Sequence, residues 1–168
     1  DLERNIKADP KSYAEDFLLQ LHHLKTSLNL LHHSPSNPSP ELCKLVLFVA
    51  TVAFHYKDHC IETAEELMNI MEKYVEVLDP DVRKRIVDAL IRMRQATIIQ
   101  SAQLLPIFFK IFSVQDKSLR KTAYEHIVGD LSNLFKKGKE AASTRSLQNY
   151  VSAMLNDVNP TAARYAAK

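Results

Sequence analysis

Apolar residues recur along most of this chain at intervals of three and four, the spacing that lines one face of a helix. The clearest stretch begins at Asp79-Pro80-Asp81, where Val82, Ile86, Ala89, Leu90 and Met93 form one stripe and Arg85, Asp88 and Arg92 point away. Its opening residues spell a helix start. Asp79 can accept first-turn N–H groups, Pro80 suits a position whose N–H is not needed, and Asp81 complements the positive helix end.

The same reading along the rest of the chain predicts eight or nine helices and no sheet. A short helix over Leu2 to Ala8 ends at Asp9-Pro10. A second, capped by Asp9, carries Tyr13, Phe17, Leu18, Leu21, Leu24, Leu28 and Leu31. A polar, proline-rich loop over 33–39 follows, because each proline denies a backbone donor and biases its predecessor away from helix. The third helix runs from Pro40 to about His55, is apolar nearly all round, and is expected to be the most buried. The fourth runs from about Cys60 to Val77, with Ala64, Leu67, Met68, Met71 and Val75 inside and Glu62, Glu65, Glu66 and Glu72 outside. Beyond the fifth, helices are expected from about Ser101 to Phe112, Lys117 to Lys136 and Ser143 to Leu155, with a ninth opening at Pro160.

The helix starts repeat. Asp116-Lys117-Ser118-Leu119-Arg120-Lys121 matches Asp79, Arg83 and Lys84 at a distance of 37 residues, Ser39-Pro40-Glu41-Leu42 precedes Asp79 by 40, and Asn159-Pro160 follows Asp116 by 43. Two helices in each 37 to 43 residues is the period of HEAT and armadillo-like α-solenoids, whose units share one continuous core. An all-α solenoid of antiparallel helix pairs is therefore expected over 1–168 as one domain. The chain opens without methionine and stops just after a helix start, so it is expected to be an N-terminal fragment of a longer protein.

Composition narrows the class. With 46% hydrophobic and 25% charged residues over 168 positions, the chain has the balance of a soluble globular protein, and two glycines are too few for the turns of a sheet protein or for phosphate-gripping loops. The net charge is only +2, but residues 101–168 hold ten Lys or Arg against five Asp or Glu, and residues 1–100 hold twelve against fifteen. An anionic partner would favour the later repeats. Two cysteines and no secretory signal point to a reducing compartment, and the most apolar run, Leu45 to Phe54, is too short to span a bilayer.

Candidate chemistry is sparse. His55-x3-His59-Cys60, with Cys43 upstream, has a zinc-like spacing, but Lys57 and Asp58 sit where a turn is expected, so no metal, cofactor or catalytic residue is assigned. The doublets His22-His23 and His32-His33 read as helix-surface and helix-end residues. Arg83 and Arg120 follow a capping acid by four residues, and they are assigned to the scaffold as partners of Asp79 and Asp116 in their own or adjacent repeats. Lys84, Arg85, Lys121, Lys136, Lys137 and Lys139 have no such partner and are the candidates for phosphate contact. No aromatic residues interleave with them, so base stacking and sequence reading are not expected.

Several strings together carry a resemblance: Phe17-Leu18-Leu19-Gln20, Val77-Leu78-Asp79-Pro80-Asp81-Val82-Arg83, Ala89-Leu90-Ile91, Gln115 through Thr122, His126-Ile127-Val128-Gly129-Asp130 and Leu147-Gln148-Asn149. In order and from about Ile6 onward, the chain resembles the N-terminal helical domain of the SDA family, named for severe depolymerisation of actin. It departs from the family pattern at Arg92-Met93-Arg94-Gln95 and in the alanine-rich segment 138–144. The resemblance implies a nuclear, mainly nucleolar factor in large ribosomal subunit assembly and pre-ribosome export, with a link to actin organisation. It implies precursor-particle proteins and rRNA backbone as partners, with no membrane and no small-molecule substrate. The competing expectation is a protein-only transport adaptor of the importin-like kind, which would hold peptides in a helical groove.

Overall fold

The computed structural model describes residues 1–136, and every regular element among them is helical. They are α1 (Leu2–Ala8), α2 (Ala14–Leu31), α3 (Leu42–Val52), a 3-10 turn (Ala53–Tyr56), α4 (Lys57–Tyr74), α5 (Pro80–Gln95), α6 (Ser101–Ile111) and α7 (Lys117–Lys136). The expected eighth and ninth helices lie outside the described residues. The chain divides into two compact units at Gln100 and Ser101.

In the first unit α3 is the hub, packing against α1, α2 and α5, while α4 packs against α5. The core is made by the predicted stripes. Phe17, Leu21, Leu24 and Leu28 of α2, Leu67 and Met71 of α4, and Ile86, Leu90 and Met93 of α5 are all buried. Successive repeats are also tied by polar groups. Pro35 O accepts from Asp79 N at 3.1 Å, joining the loop before α3 to the loop before α5. Lys25 on α2 lies 3.3 Å from Glu62 on α4. His32 Nε2 lies 2.5 Å from Glu66 and its Nδ1 lies 3.1 Å from the Tyr74 hydroxyl. A half-buried polar network thus fastens the end of α2 to α4, which the reading of His32 as a helix-end residue did not anticipate.

Four expectations are corrected. Asp9 does not cap α2: its carboxylate accepts from Ser12 N and Ser12 Oγ, closing a turn, and α2 begins at Ala14 with no side-chain cap. Leu18 is not in the stripe and is exposed, because its angular position falls beside the seam set by Phe17, Leu21 and Leu24. No open turn separates the third and fourth helices; the 3-10 segment carries the chain from α3 directly into α4 at Lys57. Nor is α3 the most buried helix, since Leu45, Leu47 and Phe48 stay half-exposed while α6 buries Leu104, Leu105, Ile107, Phe108, Phe109 and Ile111.

The α5 start is as its sequence specifies. Asp79 Oδ2 accepts from Asp81 N and Val82 N at 3.1 and 3.2 Å, and Pro80 opens the helix. Its end is unusual: Thr97 has φ 65°, a left-handed conformation normally filled by glycine, while Ile98 N bonds back to Met93 O. Lys57 Nζ donates to Thr97 Oγ1 at 3.2 Å.

In the second unit α6 and α7 pack face to face. Phe108 is fully buried, with its ring 5.1 Å from that of His126, and Leu119, Ala123 and Ile127 supply the α7 side. Phe109 meets Phe112 edge-on at 5.8 Å. Asp116 Oδ1 accepts from Leu119 N at 3.0 Å, so the second copy of the start signal caps its helix as the first does.

Candidate nucleic-acid interface

The basic cluster Arg83-Lys84-Arg85 separates into two roles because adjacent residues on a helix differ by about 100° in direction. Arg83 falls on the inner side and is only 7% exposed; its Nη1 donates to Val75 O at 3.1 Å, fastening the turn between α4 and α5. Arg120 repeats the arrangement, with its Nη1 donating to Val114 O in the turn before α7. The scaffold role is thus borne by burial and by backbone bonds. Lys84 and Arg85 point outward, exposed, and neither makes an ion pair within 4 Å among the described residues.

The outer face of α5 carries Asp81, Lys84, Arg85, Asp88 and Arg92, so its excess of positive charge is small. On α7, Lys117, Lys121 and Lys136 are exposed, as is Glu125, while a second carboxylate, Asp130, is half-buried and accepts from Ser101 Oγ. Lys121 is not without a partner, since it lies 3.8 Å from Glu125 one turn on, and both side chains are well exposed. Such a pair contributes only about 0.3–0.5 kcal/mol and can be exchanged for a phosphate. Lys137 and Lys139 lie outside the described residues.

A contrasting face lies on α4. Asp58, Glu62, Glu65, Glu72 and Glu76 are exposed along and just beyond it, a row of carboxylates that would repel a phosphate backbone. In the first unit, therefore, the exposed candidate cations Lys84 and Arg85 lie on α5 and the row of exposed carboxylates lies on α4.

The histidine and cysteine candidates are not brought together among the described residues. Among the described residues no three His, Cys, Asp or Glu side chains are placed to hold a metal ion. His55 and His59 are exposed, whereas Cys60 is fully buried and its thiol is pushed up to about 11 by that burial. Burial likewise raises Cys43, with the Arg85 charge acting in the opposite direction. A thiol held protonated is a poor nucleophile and a poor ligand. Among the described residues no helix is long and apolar enough to cross a membrane.

Sequence comparison agrees with this architecture. A family described as SDA1, HEAT repeat, matches residues 48–168. The chain is 37% identical over 163 residues to the protein SDA1 homolog of Xenopus tropicalis, covering 97% of this chain and 24% of that protein. It is 36% identical over 166 residues to the protein SDA1 homolog of Drosophila melanogaster, covering 99% and 23%. It is 27% identical over 149 residues to protein sda1 of Schizosaccharomyces pombe, covering 88% and 21%. The chain thus spans about a quarter of the length of these relatives. Helix pairs at a 37- to 40-residue period, an inward arginine bonded to a backbone carbonyl behind each of two capping aspartates, and matches over nearly the whole chain together make this a helical-repeat scaffold belonging to the SDA1 HEAT-repeat family.

Proposed function

We propose that this scaffold serves in large ribosomal subunit assembly and pre-ribosome export, in the nucleus and nucleolus, by docking on precursor-particle proteins and on rRNA backbone. The observation that carries the reading is the division of the basic runs at Arg83 and Arg120 into an arginine bonded to a backbone carbonyl, buried at Arg83 and half-buried at Arg120, and exposed neighbours, Lys84, Arg85 and Lys121, left to a partner. Lys84 and Arg85 on α5, Lys121 and Lys136 on α7, and Lys137 and Lys139 beyond it are the phosphate contacts. Recognition is of charge and shape, since a rigid helix face with lysines and no interleaved aromatics can neutralise phosphates but cannot stack or read bases. The link to actin organisation is part of the same proposal, as an effect of the whole protein.

The experiment is affinity purification of the full-length protein from nuclear extract at low salt, with and without charge reversal of Lys136, Lys137 and Lys139. The proposal expects large-subunit precursor proteins and rRNA to co-purify and the triple reversal to reduce both with helicity unchanged. Undiminished association would remove that cluster from the interface. The acidic row on α4 favours a second reading, an adaptor that binds only basic protein segments; it predicts co-purification of proteins without rRNA.

A further inference from the structure

We propose that Ser39 is a phosphorylation site for a proline-directed protein kinase, and that its phosphate caps α3 at the position where the next repeat carries Asp79. Ser39-Pro40-Glu41-Leu42 aligns with Asp79-Pro80-Asp81-Val82 at a distance of 40 residues. At Asp79 the side chain is a carboxylate bonded to two first-turn N–H groups, and α5 begins at once with Pro80. At Asp116 a carboxylate again caps its helix. The copy at Ser39 differs in both charge and structure. No side chain caps α3, the Ser39 carbonyl closes a short turn with Leu42 N at 3.2 Å, and the helix begins at Leu42, two residues later than the register allows.

Ser39 is thus a neutral hydroxyl at a place where the repeat uses an anion. It is followed by proline, and both residues are exposed in the loop between α2 and α3. The sequence holds one other Ser-Pro pair, Ser34-Pro35, and its backbone is tied down. Ser34 N donates to Leu31 O, Ser34 O accepts from Asn37 N, and Pro35 O accepts from Asp79 N. A kinase cleft takes an extended segment, and the Ser39-Pro40 step is held by the single bond from Leu42 N to Ser39 O against three such bonds at Ser34-Pro35, so Ser39 opens into the cleft more readily than Ser34. In the transfer, Ser39 Oγ bonds to the γ-phosphorus of Mg·ATP and the bond from that phosphorus to the β-phosphate oxygen breaks. ADP leaves, and the hydroxyl proton passes to the kinase's base. The product carries close to two negative charges and three acceptor oxygens at the positive end of an 11-residue helix, where Pro40 already has the φ of a first helical residue. Glu41 opposes the phosphate and Lys44, one turn inside, favours it; both are exposed and weakly coupled.

This inference is independent of the RNA reading. The test incubates the chain, its Ser39→Ala variant and its Ser34→Ala variant with a proline-directed kinase and Mg·ATP, followed by intact mass, phosphopeptide mapping and thermal melting. One phosphate per chain is expected, lost in Ser39→Ala and retained in Ser34→Ala, with Tm raised by about 2–4 °C. Ser39→Asp should raise Tm in the same direction by a smaller amount. Incorporation at Ser34 alone or nowhere overturns the site, and phosphorylation at Ser39 with an unchanged or lowered Tm overturns the cap.

Discussion

Replacing Arg83 with alanine and, separately, Arg85 with alanine changes two residues of one basic run, and the structure assigns the two substitutions opposite consequences. Arg83 is 7% exposed and bonds Val75 O through Nη1, whereas Arg85 is exposed on the outer face of α5. Truncating Arg83 removes a charged hydrogen bond contributing about 1.5–3 kcal/mol and the packing of the two methylenes beyond Cβ at about 0.8 kcal/mol each. Release of a partly desolvated charge offsets some of this, leaving a net loss of about 2–4 kcal/mol. Arg85→Ala should stay within about 0.5 kcal/mol of the parent. Urea unfolding followed by far-UV circular dichroism measures the difference, and Arg83→Met, which keeps the stem without the guanidinium, should fall between them. Binding should invert the order: Arg85→Ala weakens RNA association, while folded Arg83→Ala leaves it unchanged. Equal stability of the two alanine variants would refute the division of the cluster.

Three further outcomes follow from the packing. Thr97→Gly removes a β-branched side chain from a left-handed backbone at φ 65° and should stabilise the chain by about 0.5–1 kcal/mol in thermal or urea unfolding, less the bond from Lys57. Phe108→Ala, at a fully buried ring, should cost about 3–5 kcal/mol, while Phe54→Ala, at a ring 63% exposed, should cost less than about 1 kcal/mol on the same assay. Thiol labelling at pH 8 should modify Cys43 well before Cys60, whose thiol titrates near 11; complete Cys60 labelling in the folded chain would contradict its burial.

Much of the fold was legible because helix periodicity and the repeated start signal are both local. The bounds of α1 and the openings of α5 and α7 follow from their capping aspartates and, at α1 and α5, from a proline, and the α5 stripe from Val82 to Met93 is buried as its spacing requires. What was not legible depends on partners distant in sequence. Tyr56 stacks on Phe17 at 4.2 Å and donates to Pro10 O, so the residues after α3 stay wound as a 3-10 turn where the local pattern suggested a break. His32 finds Glu66 and Tyr74 across 34 and 42 residues, and no local pattern announces that network. Asp9 was misread because an Asx turn and a helix cap use the same carboxylate-to-backbone bond. At the candidate interface the separation of Arg83 from Lys84 and Arg85 was legible from the repeat, but the carbonyls that receive Arg83 and Arg120 were not. The pairing of Lys121 with Glu125 follows the i, i+4 rule and could have been read directly.

The most direct test of the account is a salt titration of structured pre-rRNA binding by the chain and by its Lys84→Glu/Arg85→Glu variant. If these residues neutralise phosphates, log K falls linearly with log salt, and the double reversal lowers the slope by about 1.5, near 0.7 to 0.9 per lost contact. An affinity that does not change with salt, or an identical slope in the variant, would contradict the claim that the outward cations of this repeat are its RNA-binding surface.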